Sequence, residues 1–389
     1  MKVLCCIVVL AIASSFHPAL PVLAQQKSDV DLVWPQPPEA ARIRYVGYVH
    51  SERDIGKRKS FFGRVKRALV GGNDQLTVMT RPHDVYVDRA GRIYVTDRAG
   101  GGRLVVFDPN DKKGRVIEPA GAGRLGKPMG IDGDDASHVY IADPRQQRVV
   151  ALDADGEFAR AFGGPSELLH PVDVGVTGDG SRVFVIDSYQ HQLLIFGRDG
   201  KILRRVGVDI GDLASKKNRP KYTASHGDTS SVANHYGGEP SDLVENRGSG
   251  DGEFRFPAFV AVGGDTVVYV SDSMNFRVQV FSINGDFIRS IGQLGTTPGS
   301  LSRPKGVGVD SKGHIYIADA SFNNVQIFNT EGQLLLAFGA LGAGHGEFWQ
   351  PLGMFAAGEQ IYVVDRFNDR VQIFNYLHVP DGESNGGMR

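Results

Sequence analysis

The sequence predicts an all-β fold, a six-bladed β-propeller made of four-stranded antiparallel blades. Three observations predict it. First, the stretch from Arg303 to Gly339 holds four short apolar runs: Val307–Val309, Ile315–Ala318, Val325–Phe328 and Leu334–Phe338. They are rich in Val, Ile, Tyr and Phe, and the turn segments Asp-Ser-Lys-Gly and Asn-Thr-Glu-Gly separate two of the pairs, as in a meander. No gap is long enough for the crossover that parallel strands need. Second, the stretch recurs. An aromatic-x-x-Asp pattern ends at Asp97, Asp143, Asp187, Asp272, Asp319 and Asp365, at steps of 46, 44, 85, 47 and 46 residues. Third, each copy opens on a proline: Pro82, Pro128, Pro171, Pro257, Pro304 or Pro351. Five or six residues past each aspartate stands Arg103, Arg148, Gln192, Arg277, Asn324 or Arg370, followed by an apolar strand. A period near 45 with four strands per unit is the pattern of propeller blades.

The repeated residues also resemble a known family. Pro-x-x-Val-x-Val, aromatic-x-x-Asp, Asn-x-Arg-Val-Gln-Val-Phe and a closing Gly-x-x-x-x-x-Phe-Gly are similar to NHL repeats, most closely at Asp272–Phe281 and Asp365–Phe374. The resemblance covers roughly residues 42–376. It implies a six-bladed propeller and leaves function open, because one fold hosts unrelated activities.

Taken in order, the chain opens on a segment outside the propeller. Met1-Lys2, an apolar run from Val3 to Ala13, and Pro21–Ala24 before Gln25-Gln26 read as a secretory signal peptide spanning 1–24 and cleaved after Ala24. A retained anchor fits less well, because the run is short and broken by Ser14, Ser15, His17 and Pro18. Cys5 and Cys6 sit at the start of the apolar run, not after it, which weighs against a lipoprotein. They are the only two cysteines, so the mature chain has no disulfide, thiol nucleophile or Cys-based zinc site. About 365 residues bury a large core without such links. The protein is expected in the periplasm or outside the cell, as a monomer with no transmembrane span.

Residues 25–41 form a polar, Pro-rich lead-in. Arg42–Gly47 then reads as a lone strand. The sixth repeat runs out after its third strand, Val371–Phe374, and residues 42–49 resemble the missing fourth, as in Phe287–Gly292. The N-terminal strand is therefore expected to complete the last blade and close the ring, leaving only short, protected edges. An added edge strand elsewhere is the alternative. Residues 60–70 suit a short amphipathic helix beside the basic cluster Lys57-Arg58-Lys59. It reads as a connector capping one propeller face, or as a contact for an anionic partner or headgroups.

Blades start near residues 81, 127, 170, 256, 303 and 350. Asp88–Gly91 and Asp153–Gly156 read as tight turns. Gly100–Gly102 is a loop elaboration, since it lacks the Gly-Lys-Ser/Thr ending of a phosphate loop. The long step between Asp187 and Asp272 exceeds the others by about 40 residues, placing an inserted loop at 208–247 with His226, His235 and Tyr236. The links Gly248–Phe254, Gly295–Leu301 and Gly342–Phe348 read alike, each ending on an apolar plug three residues before its proline. His345, in the last of them, reads as structural. Residues 377–389 form a polar tail expected to be disordered.

Composition narrows function. The chain is 41% hydrophobic and 22% charged, with net charge −1 and pI about 6.8, which gives no sign of nucleic acid or a general polyanion binder. In a propeller the first strand of each blade lines the channel, so the residues flanking each proline rim one mouth. They include Arg81, His83 and Asp84; Lys127 and Met129; His170, Val172 and Asp173; Ala258 and Phe259; Arg303 and Lys305; Gln350 and Leu352. The resemblance brings an enzymatic comparison. Amidating lyases carry similar repeats and hold a channel zinc with histidines from several blades, and propeller lactonases bind calcium. A catalytic zinc needs about three protein ligands on one point. His83, Asp84 and Asp173, with His170 as a further candidate, form at most a partial set, and His83 is the only histidine directly after an opening proline. No cofactor is expected, with zinc or calcium as the alternative. The six repeat aspartates share one structural position, so they read as blade architecture. The expected function is non-catalytic binding or scaffolding of a protein, peptide or glycan partner in the cell envelope; the alternative is a metal-dependent lyase or hydrolase. Convergence of His83, Asp84, Asp173 and His170 on one point separates the two.

Overall fold

In the computed structural model, the residues described are 31–55, 76–208 and 247–378. The expected signal peptide, the expected helix near 60–70, all but the two end residues of the expected inserted loop and nearly all of the tail lie outside them. Strands β1 (Val33–Trp34) and β2 (Ile43–Val49) come first. Blade one is β3 (Pro82–Val87), β4 (Ile93–Asp97), β5 (Arg103–Asp108) and β6 (Lys113–Ile117). Blade two is β7 (Ile131–Gly133), β8 (Val139–Asp143), β9 (Arg148–Leu152) and β10 (Phe158–Phe162). Blade three is β11 (Pro171–Val176), β12 (Arg182–Asp187), β13 (Gln192–Gly197) and β14 (Ile202–Val206). Blade four is β15 (Pro257–Gly263), β16 (Val267–Asp272), β17 (Arg277–Ser282) and β18 (Phe287–Ile291). Blade five is β19 (Pro304–Val309), β20 (Ile315–Asp319), β21 (Asn324–Phe328) and β22 (Leu334–Phe338). Blade six is β23 (Pro351–Ala357), β24 (Gln360–Asp365) and β25 (Arg370–Tyr376), joined by β2 and β1.

All pairings within the blades are antiparallel. The innermost strands touch one another all the way round, β3 to β7, β11, β15, β19, β23 and back to β3. The ring closes as the sequence predicts: β2 pairs with β25 from Ile43 opposite Tyr376 to Val49 opposite Val371. Edge groups that a truncated last blade would expose are thereby paired. The lead-in does more than lead in. Val33-Trp34 adds a fifth strand outside β2, and Trp34 packs on Phe338 and Phe374 at ring distances of 5.6 and 6.0 Å.

The core lies between blades. Phe254, Leu301 and Phe348, the plugs at the ends of the glycine-rich links, are fully buried. Each such side chain contributes ~2–3 kcal/mol by leaving water. The third-strand motif holds those links. Asn275 and Asn368 donate to the carbonyls of Gly248 and Gly342 at 2.8 and 2.9 Å. Arg277 and Arg370 reach the carbonyls of Glu253 and Glu347, both at 3.0 Å. Gln279 donates to Glu253 at 2.7 Å and Gln326 to Ser300 at 2.9 Å. In the last link, His345 sets its Nδ1 2.9 Å from the Tyr45 hydroxyl.

Blade two departs from the pattern. Its inner strand starts at Ile131, not beside Pro128. The Gly130 amide donates instead to Val172 of blade three at 3.0 Å. A Cβ on Gly130 would lie 1.8 Å from Asp173 Oδ1, so glycine is what lets that carboxylate lean in. Among the described residues no helix is long and apolar enough to cross a membrane.

Candidate functional site

The repeat aspartates build the mouth of the channel. All six are fully buried. Asp97 accepts from the amides of Thr80 and Arg81, at 3.1 and 2.9 Å, and from Ala99 at 3.0 Å. Asp187 accepts from Leu169 at 2.6 Å and Tyr189 at 3.1 Å. Asp319 accepts from Ser302 at 2.7 Å and Ser321 at 2.9 Å. Each ties the loop before the first strand to the turn after the second. Loop and turn then join directly. The amides of Arg98, Ser188, Met274, Ala320 and Phe367 donate to the carbonyls of Arg81, His170, Arg255, Arg303 and Trp349, at 3.0 to 3.2 Å. The aspartate pairs with the residue five or six places on in three blades: Asp97–Arg103 at 2.8 Å, Asp272–Arg277 at 3.0 Å and Asp365–Arg370 at 2.8 Å. In blade two Arg148 turns to the carbonyl of Ala122 at 2.7 Å.

This scaffold gathers cations at one end of the ring. Blade one brings Arg81 and Arg98, blade two Lys127, blade five Arg303 and Lys305, and blade six Arg366. Each feels its neighbours. Burial, then Arg98, pushes the Lys127 ammonium down to about 8. Burial, then Arg303 and Arg366, pushes Lys305 down to about 7. Burial, then Arg98, Arg81 and Arg303, lowers Arg366 to about 10. Among the described residues Lys127, Arg303 and Lys305 make no ion pair and no side-chain hydrogen bond. Asp143 and Asp319 act on Lys127 and Lys305, but their oxygens are engaged by backbone amides. Aromatic rings complete the rim. His170 stacks on Tyr189 at 4.1 Å and sets its Nδ1 3.2 Å from the Ser188 hydroxyl. Burial, then Lys127 and Arg98, holds its ring down to about 3, hence neutral. Trp349 and Phe367 stack at 5.5 Å and stand 53% and 46% exposed.

His83 lies just inside. It is buried and stacks at 5.7 Å on Phe259, across the ring on blade four. Its Nδ1 has no hydrogen-bond partner. Burial, then Arg98, Arg366, Lys127 and Lys305, keeps the ring neutral, so cations from both sides of the axis reach it. Phe259, Val307 and Leu352, from the inner strands of blades four, five and six, belong to one buried cluster, so side chains fill the channel here.

Deeper still, the carboxylates act as staples between blades. Asp84 accepts from Ile131 of blade two at 3.0 Å and from Val85 at 2.9 Å. Asp173 accepts from Val260 of blade four at 2.7 Å. Asp132, which the sequence did not single out, accepts from Val176 of blade three at 2.8 Å. A Cβ on Gly353 would lie 1.9 Å from Asp84 Oδ1, which explains glycine there. Asp84 and Asp173 face each other. Burial, and for Asp173 the Asp84 charge next, raises both above the usual carboxylate range. Asp173 Oδ1 receives no hydrogen bond from a fixed donor; a proton shared with Asp84 would supply its partner.

The structure thus brings Asp84 to Asp173, and brings His83 and His170 under the same cations. It does not bring all four to one point. Among the described residues no three His, Cys, Asp or Glu side chains are grouped so as to hold a metal ion. Sequence reasoning placed Arg81, Lys127, Arg303 and Lys305 at the mouth. It missed Arg98 and Arg366, which stand directly after a repeat aspartate but carry no local signal of a place at the mouth.

Comparison with known proteins agrees with this architecture. A family model described as a six-bladed β-propeller matches residues 307–378, and one described as the NHL repeat matches residues 79–107. Among solved structures the chain is similar to a gluconolactonase from Xanthomonas campestris, with TM-score 0.52 and 15% identity over 77% of this chain and 87% of that one. It is also similar to a catalytically inactive virginiamycin B lyase from Staphylococcus aureus with quinupristin, with TM-score 0.50 and 10% identity over 78% and 84% of the chains. At these identities the likeness is one of fold. A curated proteasome subunit beta from Natrialba magadii is 34% identical over 106 residues, which is 25% of this chain and less than half, 43%, of that protein. The ring of six antiparallel sheets makes this chain a six-bladed β-propeller, with an NHL-repeat match in its first blade.

Proposed function

We propose that this propeller is an exported, non-catalytic binding module that seats a protein, peptide or glycan partner of the cell envelope on the channel mouth. One observation carries the reading. The mouth presents the exposed pair Trp349 and Phe367 beside its cations, over a channel filled by side chains. Exposed aromatic surface rimmed by charge is what a partner buries most profitably, and Trp and Arg lead among anchoring residues. The acid groups a catalyst would need are spent inside, where Asp84 and Asp173 bind backbone amides of neighbouring blades.

A second reading, a lyase or hydrolase using zinc or calcium, draws on the partnerless buried atoms His83 Nδ1 and Asp173 Oδ1. The donor set does not fit a catalytic zinc, which needs about three ligands on one point. The test uses the full chain, purified from the periplasm without chelator. Envelope material should be retained by the immobilised wild type and lost from a Trp349→Ala, Phe367→Ala double variant; equal retention overturns the binding reading. Stoichiometric zinc or calcium that disappears in His83→Ala, together with turnover of a lactone or lyase substrate, also overturns it, in favour of the enzyme.

A further inference from the structure

We propose that the mouth face of the disc lies on an anionic lipid surface, with Leu294, Leu341, Trp349 and Phe367 entering the interface and the arginines around them meeting the headgroups. The inference goes beyond the binding reading, which concerns a partner at the channel mouth. It rests on how the meander sorts side chains between two faces. In each blade the first-to-second and third-to-fourth turns lie on one face. The second-to-third turn and the link to the next blade lie on the other, the mouth face. Away from the mouth, all six first-to-second turns carry an acid: Asp88, Asp134, Asp179, Asp265, Asp310 and Glu359. The mouth face has the opposite sign. Arg81, Arg124, Arg145 and Arg255 stand exposed on it, and Lys127 and Arg303 are half-buried there. Its repeat aspartates are buried, and Glu253 and Glu347 accept from the Gly250 and Gly344 amides of their own links at 2.9 and 2.8 Å. Glu118 and Asp251 are the exposed acids that oppose the arginines.

Apolar side chains follow the same division. Leu294 and Leu341, 63% and 66% exposed, hold the same place in two successive links, bridged to the buried plugs Leu301 and Phe348. Trp349 follows Phe348 directly and stacks on Phe367, so Leu341, Trp349 and Phe367 form one ridge on this face. The other exposed large apolar side chains, Val116, Phe158, Leu203, Ile288 and Leu335, lie on outer strands. Among the described residues none stands on the acidic face. Trp, Phe and Leu set among arginines are what a surface needs to enter an anionic membrane interface. Anionic lipid attracts the mouth face and repels the other, so the charge difference also sets the orientation. A protein partner would have to offer pockets for four protruding side chains on two links and a turn. A fluid interface accepts each where it stands.

The test is sedimentation of the full chain with vesicles of phosphatidylglycerol mixed into phosphatidylcholine, and with phosphatidylcholine alone. The wild type should partition onto the anionic vesicles about tenfold or more better than onto the neutral ones, and high salt should release it. Of the two tryptophans, Trp34 packs on Phe338 and Phe374, so Trp349 is the one that reports contact. Its emission should move to the blue on binding, and Trp349→Phe should remove the shift while keeping the partition. Leu294→Ser with Leu341→Ser, at positions the binding reading does not use, should weaken partition about tenfold. Arg145→Gln with Arg255→Gln should weaken it about tenfold and flatten its salt dependence. Lys201→Gln, on the opposite face and paired with Asp199, should change nothing. The leucines and arginines replaced are exposed, so unchanged melting curves separate lost binding from lost folding. No preference for anionic vesicles, no blue shift, or partition unchanged in the leucine and arginine pairs overturns the lipid site. If vesicles are not bound while envelope protein is still retained through Trp349 and Phe367, a protein partner holds this face and the binding reading stands without the membrane.

Discussion

Asp173 shows how one buried side chain sets a pH dependence. Its carboxyl and that of Asp84 are both raised by burial and face each other. In the unfolded chain both sit near the ordinary value of about 4. From there up to the raised folded values, the native state binds more protons than the unfolded one, so the pair's contribution to stability declines as pH rises. Asp173→Asn removes that decline. The amide oxygen can still accept from Val260, and the new N–H can donate to Asp84 in place of the shared proton. The variant should melt at the wild-type temperature near pH 4 and about 1–3 °C above it at pH 8. His83 and His170, held neutral, favour folding at higher pH, but they are common to both proteins and cancel in the difference. Asp84→Asn should behave oppositely. Both Asp84 oxygens accept backbone amides, so an NH2 group would confront an N–H and cost about 1–3 kcal/mol. Calorimetric melts of the two variants across pH distinguish a shared proton from two independent carboxylates.

Among the elements, the closing strand and the third-strand motif decide whether the ring holds. Arg370 is nearly buried, pairs with the fully buried Asp365 at 2.8 Å and holds the link carbonyls of blade six. Arg370→Ala should cost about 3–5 kcal/mol, because it leaves a buried carboxylate unpaired. Chemical denaturation should show this as a lower midpoint with unchanged slope. Deleting residues up to 49 removes β2 and bares the β25 edge, so the truncated chain should aggregate, seen by gel filtration and light scattering. These elements were legible in the sequence because a 45-residue period exposes a missing strand: the repeat at Pro351 stops one strand short, and residues 42–49 match the gap. Val33-Trp34 was not legible, because two residues among prolines carry no period; it is the surface of Phe338 and Phe374 that makes them a strand. The channel was legible only in part. The proline marks the loop that carries Arg81, Lys127 and Lys305. Nothing local says that the residue after an architectural aspartate, Arg98 or Arg366, turns toward the same axis.

At the scale of the whole molecule, net charge conceals what the mouth concentrates. The chain carries 43 basic and 44 acidic residues, a balance that by itself argues against a polyanion ligand. The fold distributes that charge unevenly, with the repeat aspartates buried in hydrogen bonds to the mouth loops and Lys127, Arg303 and Lys305 beside them without ion pairs among the described residues. Lys305 and Lys127, lowered to about 7 and about 8 by burial and then by neighbouring arginines, hold their protons less well in the folded chain than in the unfolded one, where lysine titrates near about 10.4. The unfolded state therefore binds more protons between those values, and the lysines' contribution to stability rises as pH rises from about 7 toward about 10. Lys305→Met removes the Lys305 part of that rise. Calorimetric melts should place the variant above the wild type at about pH 6 and level with it near pH 10, and equal melting temperatures at both ends would show that burial does not penalise the Lys305 charge.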